Sequence, residues 1–451
     1  MTQLAEGPFS STGNAPPGGR LLRAALLAVL CLPALATLLY VRAYSVEFPL
    51  LDDWDIAIEQ LPHLAAHSLS WSDINLQHSD SIILFPQMVS LAAAKLVGYR
   101  VLVIIYISYS FLCGSLWLLF RFFRVLDLRG RWSLLWFLPV SVFFLGWRQS
   151  EGLLWGTQLL NTMSLFFSLL ALYGCLRAYR SFGLFAVAIL SAWAASFSMA
   201  SGLLTWVVGW FCLAVLGRPE SRAIRRRYVI SWSLFAGACG ACFFRDRVSY
   251  SEDWPTGVPY VLSNSGAAVR YGLTYLGSPF THEAGKAIYF GAILAVIAAL
   301  TVFLTVRMTL RQEGAAGALV LIALVILALG ALLTGRLGMG PEQALASRYV
   351  TLGNLAPIGV YFCLLALRNE TRLARYLIAA MAALFLLGTF DSYSKGLEEG
   401  RESRAYDNRC AGIVRHFRQH ELSDLECAYP DPQVILERAP FLERHRLSLF
   451  H

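Results

Sequence analysis

Charge is scarce in this chain. Only 15% of its 451 residues are Asp, Glu, Lys or Arg, against roughly 25% in an ordinary soluble domain. Lysine is almost missing, so arginine carries nearly all the positive charge. There is no P-loop, no Gly-rich dinucleotide motif, no Cys/His zinc spacing and no internal repeat. The missing P-loop argues against an ATP-driven pump, and the missing zinc spacing against a zinc hydrolase. The net charge of +8 is not a nucleic-acid footprint, because it is distributed loop by loop, and no nucleic-acid partner is expected.

What is present is apolar surface: 57% of residues are hydrophobic and the mean hydropathy is +0.56. Apolar runs of roughly 18 to 22 residues recur along the chain, the length that crosses a bilayer as a helix. They fall at 21–43, 101–120, 132–147, 158–176, 182–200, 202–217, 228–244, 287–306, 316–335, 349–367 and 376–393. These predict about eleven transmembrane helices in an all-α polytopic membrane protein, with 82–96 a candidate twelfth, partly buried helix. Residues 1–20 are polar and Gly/Pro-rich and are predicted to be a disordered tail. The apolar run after them is longer than a signal-peptide core and reads as an uncleaved first helix. Residues 21–393 form the membrane domain, including a first outer loop at 44–100, and 394–451 form a polar tail.

Orientation follows from arginine. "RFFRVLDLRGR", "RAYRS", "RPESRAIRRRY", "RMTLRQ" and "RNETRLARY" alternate with longer, mixed-charge connections rich in Trp, Tyr and Pro. Short basic loops stay in the cytoplasm. The N-terminus is then inside and the tail outside, in the inner or plasma membrane if the source is bacterial. Seven of nine cysteines lie in or beside apolar runs, where cysteine acts as a small hydrophobe. Cys410 and Cys427 lie in the polar tail and are expected to form a disulfide there, worth roughly 3 kcal/mol.

The first outer loop opens with "EFPLLDDWDIAIEQL". Asp55 is expected to cap the helix that follows, which lies along the interface. Asp52 and Asp53 follow "FPLL" and are held against the membrane surface, where partial desolvation raises a carboxylate's pKa toward the range of a general base. Adjacent residues point opposite ways, so either one could be that base. Asp52 is preferred because Asp53 is also placed to cap the following helix.

An acidic pair early in the first outer loop of a many-helix protein resembles the GT-C superfamily of glycosyltransferases. The residues carrying the resemblance are "LLDDWD", with "INLQHSDSIILFPQMVSLAAAKLVGYR", "SFSMASGLLTW" and "ASRYVTLGNLAPIG" similar to stretches of uncharacterised bacterial members. The resemblance implies a polyprenyl-phosphate or polyprenyl-diphosphate sugar donor, transfer at the outer face, and a polysaccharide, lipid or protein acceptor. The chemistry is coherent. A lipid phosphate is a stable leaving group, so transfer needs one base and cations for the phosphate rather than the two carboxylates of a glycoside hydrolase. Arg348 at a helix start and Arg148 in a polar turn are the phosphate candidates, with Arg336 and Arg270 secondary. His78 is a candidate for phosphate or acceptor binding. Glu151, Gln158 and Glu342 are candidates for sugar hydroxyls. Trp54, Trp71, Trp147 and Trp155 fit an interfacial belt. Asp53-Trp54-Asp55 has the D-x-D form, which leaves a divalent cation open, although no cofactor is assigned. The alternatives are a transporter or flippase, and a polymerase or ligase, of lipid-linked glycans. A transporter would place charge deep within its helices, and these runs carry almost none.

Overall fold

The computed structural model describes residues 17–128, 130, 132–217, 221–245, 247–248, 254–308 and 312–451. Most of the expected N-terminal tail therefore lies outside the described residues. Among the described residues, eight helices are long and apolar enough to cross a membrane: Ala24–Tyr44, Val101–Arg124, Gly156–Arg180, Arg222–Phe244, Ala284–Met308, Glu313–Met339, Ser347–Leu367 and Arg372–Arg415. The chain is an all-α polytopic membrane protein. Helices close their own backbone hydrogen bonds and can show apolar side chains to lipid. Leu32, Leu35 and Leu39 do so on the first helix, and Tyr289, Val296 and Phe303 on Ala284–Met308. Ser347–Leu367 is the hub, with 89% of its apolar window buried, whereas Arg222–Phe244, at 17%, is peripheral.

Three shorter apolar segments pack among these helices. Residues 133–144 start where Phe137 packs on Phe123, with ring centroids 5.3 Å apart, and end where Leu145 O accepts from Thr37 at 2.8 Å. Phe182–Ser196 leads to Phe197, whose carbonyl accepts from Phe85 N. Ala200–Leu216 returns to Tyr179, which donates to Leu213 O at 2.8 Å. One end is rich in arginine: Arg177 and Arg180 both pair with Glu313, and Arg121 donates to Tyr173. The opposite end gathers 44–100, 146–157, 278–283, 337–347 and the chain beyond 393.

Leu84–Val97 begins against Phe197 and leads to Tyr99, whose carbonyl accepts from Ser448 N. Within the first loop, tight helical turns at 51–58 run into Glu59–Ala65, and a small hairpin pairs Gln77–His78 with Ser81–Ile82. Glu47 accepts from Val101 N at 2.6 Å and Leu102 N at 3.3 Å, capping the next helix with the start of the loop.

The tail differs most from expectation. Arg372–Arg415 is one helix of 44 residues, about 66 Å long at 1.5 Å per residue and twice the hydrocarbon thickness. The boundary expected at 393/394 falls inside it. Its face at Ser392 and Gly396 allows close contact. Ser392 Oγ accepts from Arg148 N at 2.9 Å, and a Cβ at 396 would stand 2.6 Å from that of Trp147. Cys410, in the last turns of this helix, is disulfide-bonded to Cys427 beyond it, with Cα atoms 5.9 Å apart, and Pro432–His445 folds back onto the first loop.

Candidate functional site

The three carboxylates of the opening motif go to three different partners. Asp52 Oδ2 lies 3.4 Å from His78 Nε2, with the Asp52 side chain 38% exposed. Asp53 is buried. Its Oδ1 accepts from the Thr157 hydroxyl at 2.7 Å and its Oδ2 from Leu50 N at 3.1 Å. Burial pushes its pKa up to about 7 against those hydrogen bonds, and the nearby Asp52 charge adds to the rise. The close approach depends on Gly156, where a Cβ would stand 2.9 Å from Oδ1. Asp55 takes Arg438 Nη1 at 2.8 Å on one oxygen and the Tyr429 hydroxyl at 2.5 Å on the other.

Asp55 is thus an anchor for the folded-back tail, not the helix cap expected of it. Asp53 does not cap the following helix either; it reaches back to Leu50. Because Asp53 and Asp55 are committed to separate partners, the D-x-D spacing does not make a ligand pair. Among the described residues no group of three His, Cys, Asp or Glu could hold a metal ion.

Beside this loop lies a polar cavity of about 470 Å³. Leu50, Leu51, Leu154 and Trp155 form one wall, and Arg148, Ser150, Glu151, Ser347 and Arg348 line the interior. His282 and the long helix, through Glu399, Glu402, Ser403 and Asp407, complete it. Three of the expected binding residues, Arg148, Glu151 and Arg348, therefore meet in one cavity. Asp52 and Asp53 do not line it, although Leu50 and Leu51 just before them do.

Arg148 is 4% exposed. Its Nε donates to Ser278 O and Thr281 O at 3.1 and 2.9 Å, and its Nη2 to Leu345 O at 2.5 Å. It ties three segments together, a structural role beside the phosphate role expected of it. Burial pulls its pKa down, opposed by the charges of Glu399, Asp391 and Glu151. Glu151 Oε2 accepts from Arg348 N at 3.2 Å, which fills the start of that helix with a protein carboxylate. Arg348 Nη1 is 3.8 Å from the same oxygen, and its guanidinium lies 5.5 Å from the Tyr349 ring centroid.

Arg348 also lines two further pockets. One is a slot of about 30 Å³. The other, of about 210 Å³, is lined in depth by Leu204, Ala328, Ala331, Leu332 and Leu352, with Asp80, Arg336 and Arg348 as its charged residues. Gln158 is buried and accepts from Asn161 at 2.6 Å, and Glu342 is exposed. Neither lines the cavity, so the structure does not bring these two to the site.

Sequence reasoning missed the far wall. His282 Nδ1 is 2.6 Å from Asp391 Oδ2, and Ser150 donates to Glu399 Oε2 at 2.8 Å. A signal existed. Asp391, Lys395, Glu399, Ser403 and Asp407 recur every four residues, a polar ridge that winds about 40° round the helix at each step. No protein-family model matches the chain, and neither a curated protein nor a solved structure does.

Proposed function

We propose that this chain is an integral membrane glycosyltransferase of the GT-C kind. It moves a sugar from a polyprenyl-phosphate or polyprenyl-diphosphate lipid to an acceptor at the outer face. The observation carrying this reading is the position of Arg348, which lines both the polar cavity and the largely apolar pocket of about 210 Å³. An amphiphile with an anionic neck needs such a junction. Its tail lies among Leu204, Leu332 and Leu352, its phosphate meets the guanidinium fork, and its sugar faces the polar side.

Asp52 is the base in this reading. Its neighbour Leu51 lines the polar cavity, and its partner His78 is two residues from Asp80, which lines the apolar pocket. The acceptor hydroxyl gives its proton to Asp52, and its oxygen bonds to the anomeric carbon. The bond from that carbon to the phosphate oxygen breaks, and the electron pair leaves with the phosphate. Arg348 stabilises the charge gathering there, while His78 holds the carboxylate. Asp53 shapes the turn that presents Asp52.

In the same reading the arginine-rich end is cytoplasmic. The eight long helices and three shorter segments make eleven crossings, with the N-terminus inside and the C-terminus outside, in a bacterial plasma membrane. The test is transfer from a radiolabelled polyprenyl-phosphate hexose by the protein in liposomes. Labelled product in an acceptor fraction supports the reading. Donor that only changes leaflet supports the flippase alternative instead.

A further inference from the structure

We infer that the polar cavity is the acceptor subsite and that it takes a neutral, polyhydroxylated head: a sugar carrying no carboxylate, phosphate or sulfate. The inference rests on the transferase reading above and names its second substrate by chemical class.

Charge gives the first argument. Glu151, Glu399, Glu402 and Asp407 line the cavity, while its arginines are Arg148 and Arg348. Arg148 is committed to backbone carbonyls through Nε and Nη2, and Arg348 faces Glu151. An anionic acceptor would meet an excess of carboxylates in a partly desolvated space, where like charges repel strongly.

Unused hydrogen-bonding capacity gives the second. The His282 side chain is only 9% exposed and lines the cavity. Asp391 fixes it through Nδ1, so Nε2 is turned toward Glu399, whose Oε1 is 3.3 Å away. This is an ion-pair contact whose geometry falls short of a well-made hydrogen bond, so the buried Nε2 keeps hydrogen-bonding capacity. Arg148 also lines the cavity, and the hydrogen bonds that hold it run through Nε and Nη2, which leaves Nη1 available to a ligand. The wall thus presents an arginine donor, an imidazole nitrogen and carboxylate acceptors together. Each sugar hydroxyl both donates and accepts, so a polyol can satisfy such a mixed set and a simple anion cannot. A buried polar group that lacks a well-made hydrogen bond is costly, which favours a ligand that supplies one.

Shape agrees. The volume of about 470 Å³ lies within the range of small-molecule sites, about 300–1,000 Å³. The Trp155 ring is fixed by its Nε1 donating to Leu50 O at 2.9 Å, so the cavity has a rigid aromatic wall. Asp391 acts here as a positioning residue through His282.

The test uses the full chain in nanodiscs and saturation-transfer NMR. The probes are the methyl glycosides of glucose, galactose and mannose, alongside those of the matching uronic acids. At least one neutral glycoside should bind about tenfold or more tightly than its uronic partner at pH 7. Glu399→Gln with Asp407→Asn should narrow that preference to below about threefold. Glu402→Gln, which disturbs packing less, should narrow it in the same direction. Asp391→Asn should weaken the neutral glycoside more than the uronic one, since only the former uses His282. Equal binding, preference for the uronic acids, or no binding of any probe by the wild type overturns the inference. Binding of sugar-free polyprenyl phosphate, followed by native mass spectrometry and compared with Arg348→Ala, tests the donor site separately. Its failure would sink the transferase reading and leave the glycoside result standing as sugar binding alone.

Discussion

Thr157 donates its hydroxyl to Asp53 at 2.7 Å across 104 positions of sequence, locking the first loop of the polar end to the second. The carboxylate has little water, and its folded pKa is pushed from 3.8 up to about 7. Below about pH 4 it is protonated both folded and unfolded. Between there and about pH 7 the unfolded chain ionises while the folded chain keeps its proton, so stability falls as pH rises. Above that window the loss is constant. Asp53→Asn should flatten this slope in thermal unfolding of the solubilised protein between pH 4 and 8. An unchanged slope would mean that Asp53 is not the group responsible.

Arg438 joins the folded-back tail to the first loop through Asp55 at 2.8 Å, Glu59 at 3.2 Å and Trp54 O at 2.5 Å. Arg438→Ala leaves two carboxylates and a carbonyl without their cation. It should cost about 2 kcal/mol, since hydrogen bonds to charged groups are the stronger kind. Arg438→Lys should recover part of that, because a single ammonium cannot reproduce the fork. Melting temperatures of the three proteins check the order.

The Cys410–Cys427 bond has a sequence separation of 17 residues, a loop whose closure stabilises by roughly 3 kcal/mol in the chain-entropy model. Cys410→Ser should lower the melting temperature. Maleimide should label neither cysteine until the protein is reduced. Labelling of both in untreated protein would show that the bond does not form in the cell.

Much of the membrane domain was legible because an apolar run long enough to cross lipid has few other fates. The site was legible only in part. Arg348 and Glu151 were found as polar residues at helix ends, which is where cavities open. The fates of Asp53 and Asp55 were hidden, because Thr157 and Arg438 lie 104 and 383 residues away and no local pattern points to them. Residues beyond 393 read as a polar tail because hydropathy falls there. The helix nevertheless continues, supported by close packing at Gly396 and by a winding polar ridge that repeats every four residues. His282 carried no sequence signal. It matters only because Asp391 and Glu399 come to it in space.

Topology is checked by reporter fusions. A fusion within the basic loop at 218–227 should report the cytoplasm, and one after His451 the opposite side. The same side for both would break the proposed eleven-crossing arrangement, and the two sides exchanged would invert it.

The most direct test of the account is transfer from a polyprenyl-phosphate hexose by Asp52→Asn and Arg348→Ala, each verified as folded in the membrane. Asp52→Asn keeps the shape and removes the proton acceptor, so turnover should fall by about 10²–10⁴-fold. Arg348→Ala should weaken donor binding and also slow turnover, since charge gathers on the leaving phosphate. Asp55→Asn should leave turnover within a few-fold of wild type while lowering stability. Full activity of Asp52→Asn, or of the Asp52/Asp53 double Asn variant, would contradict the assignment of the base.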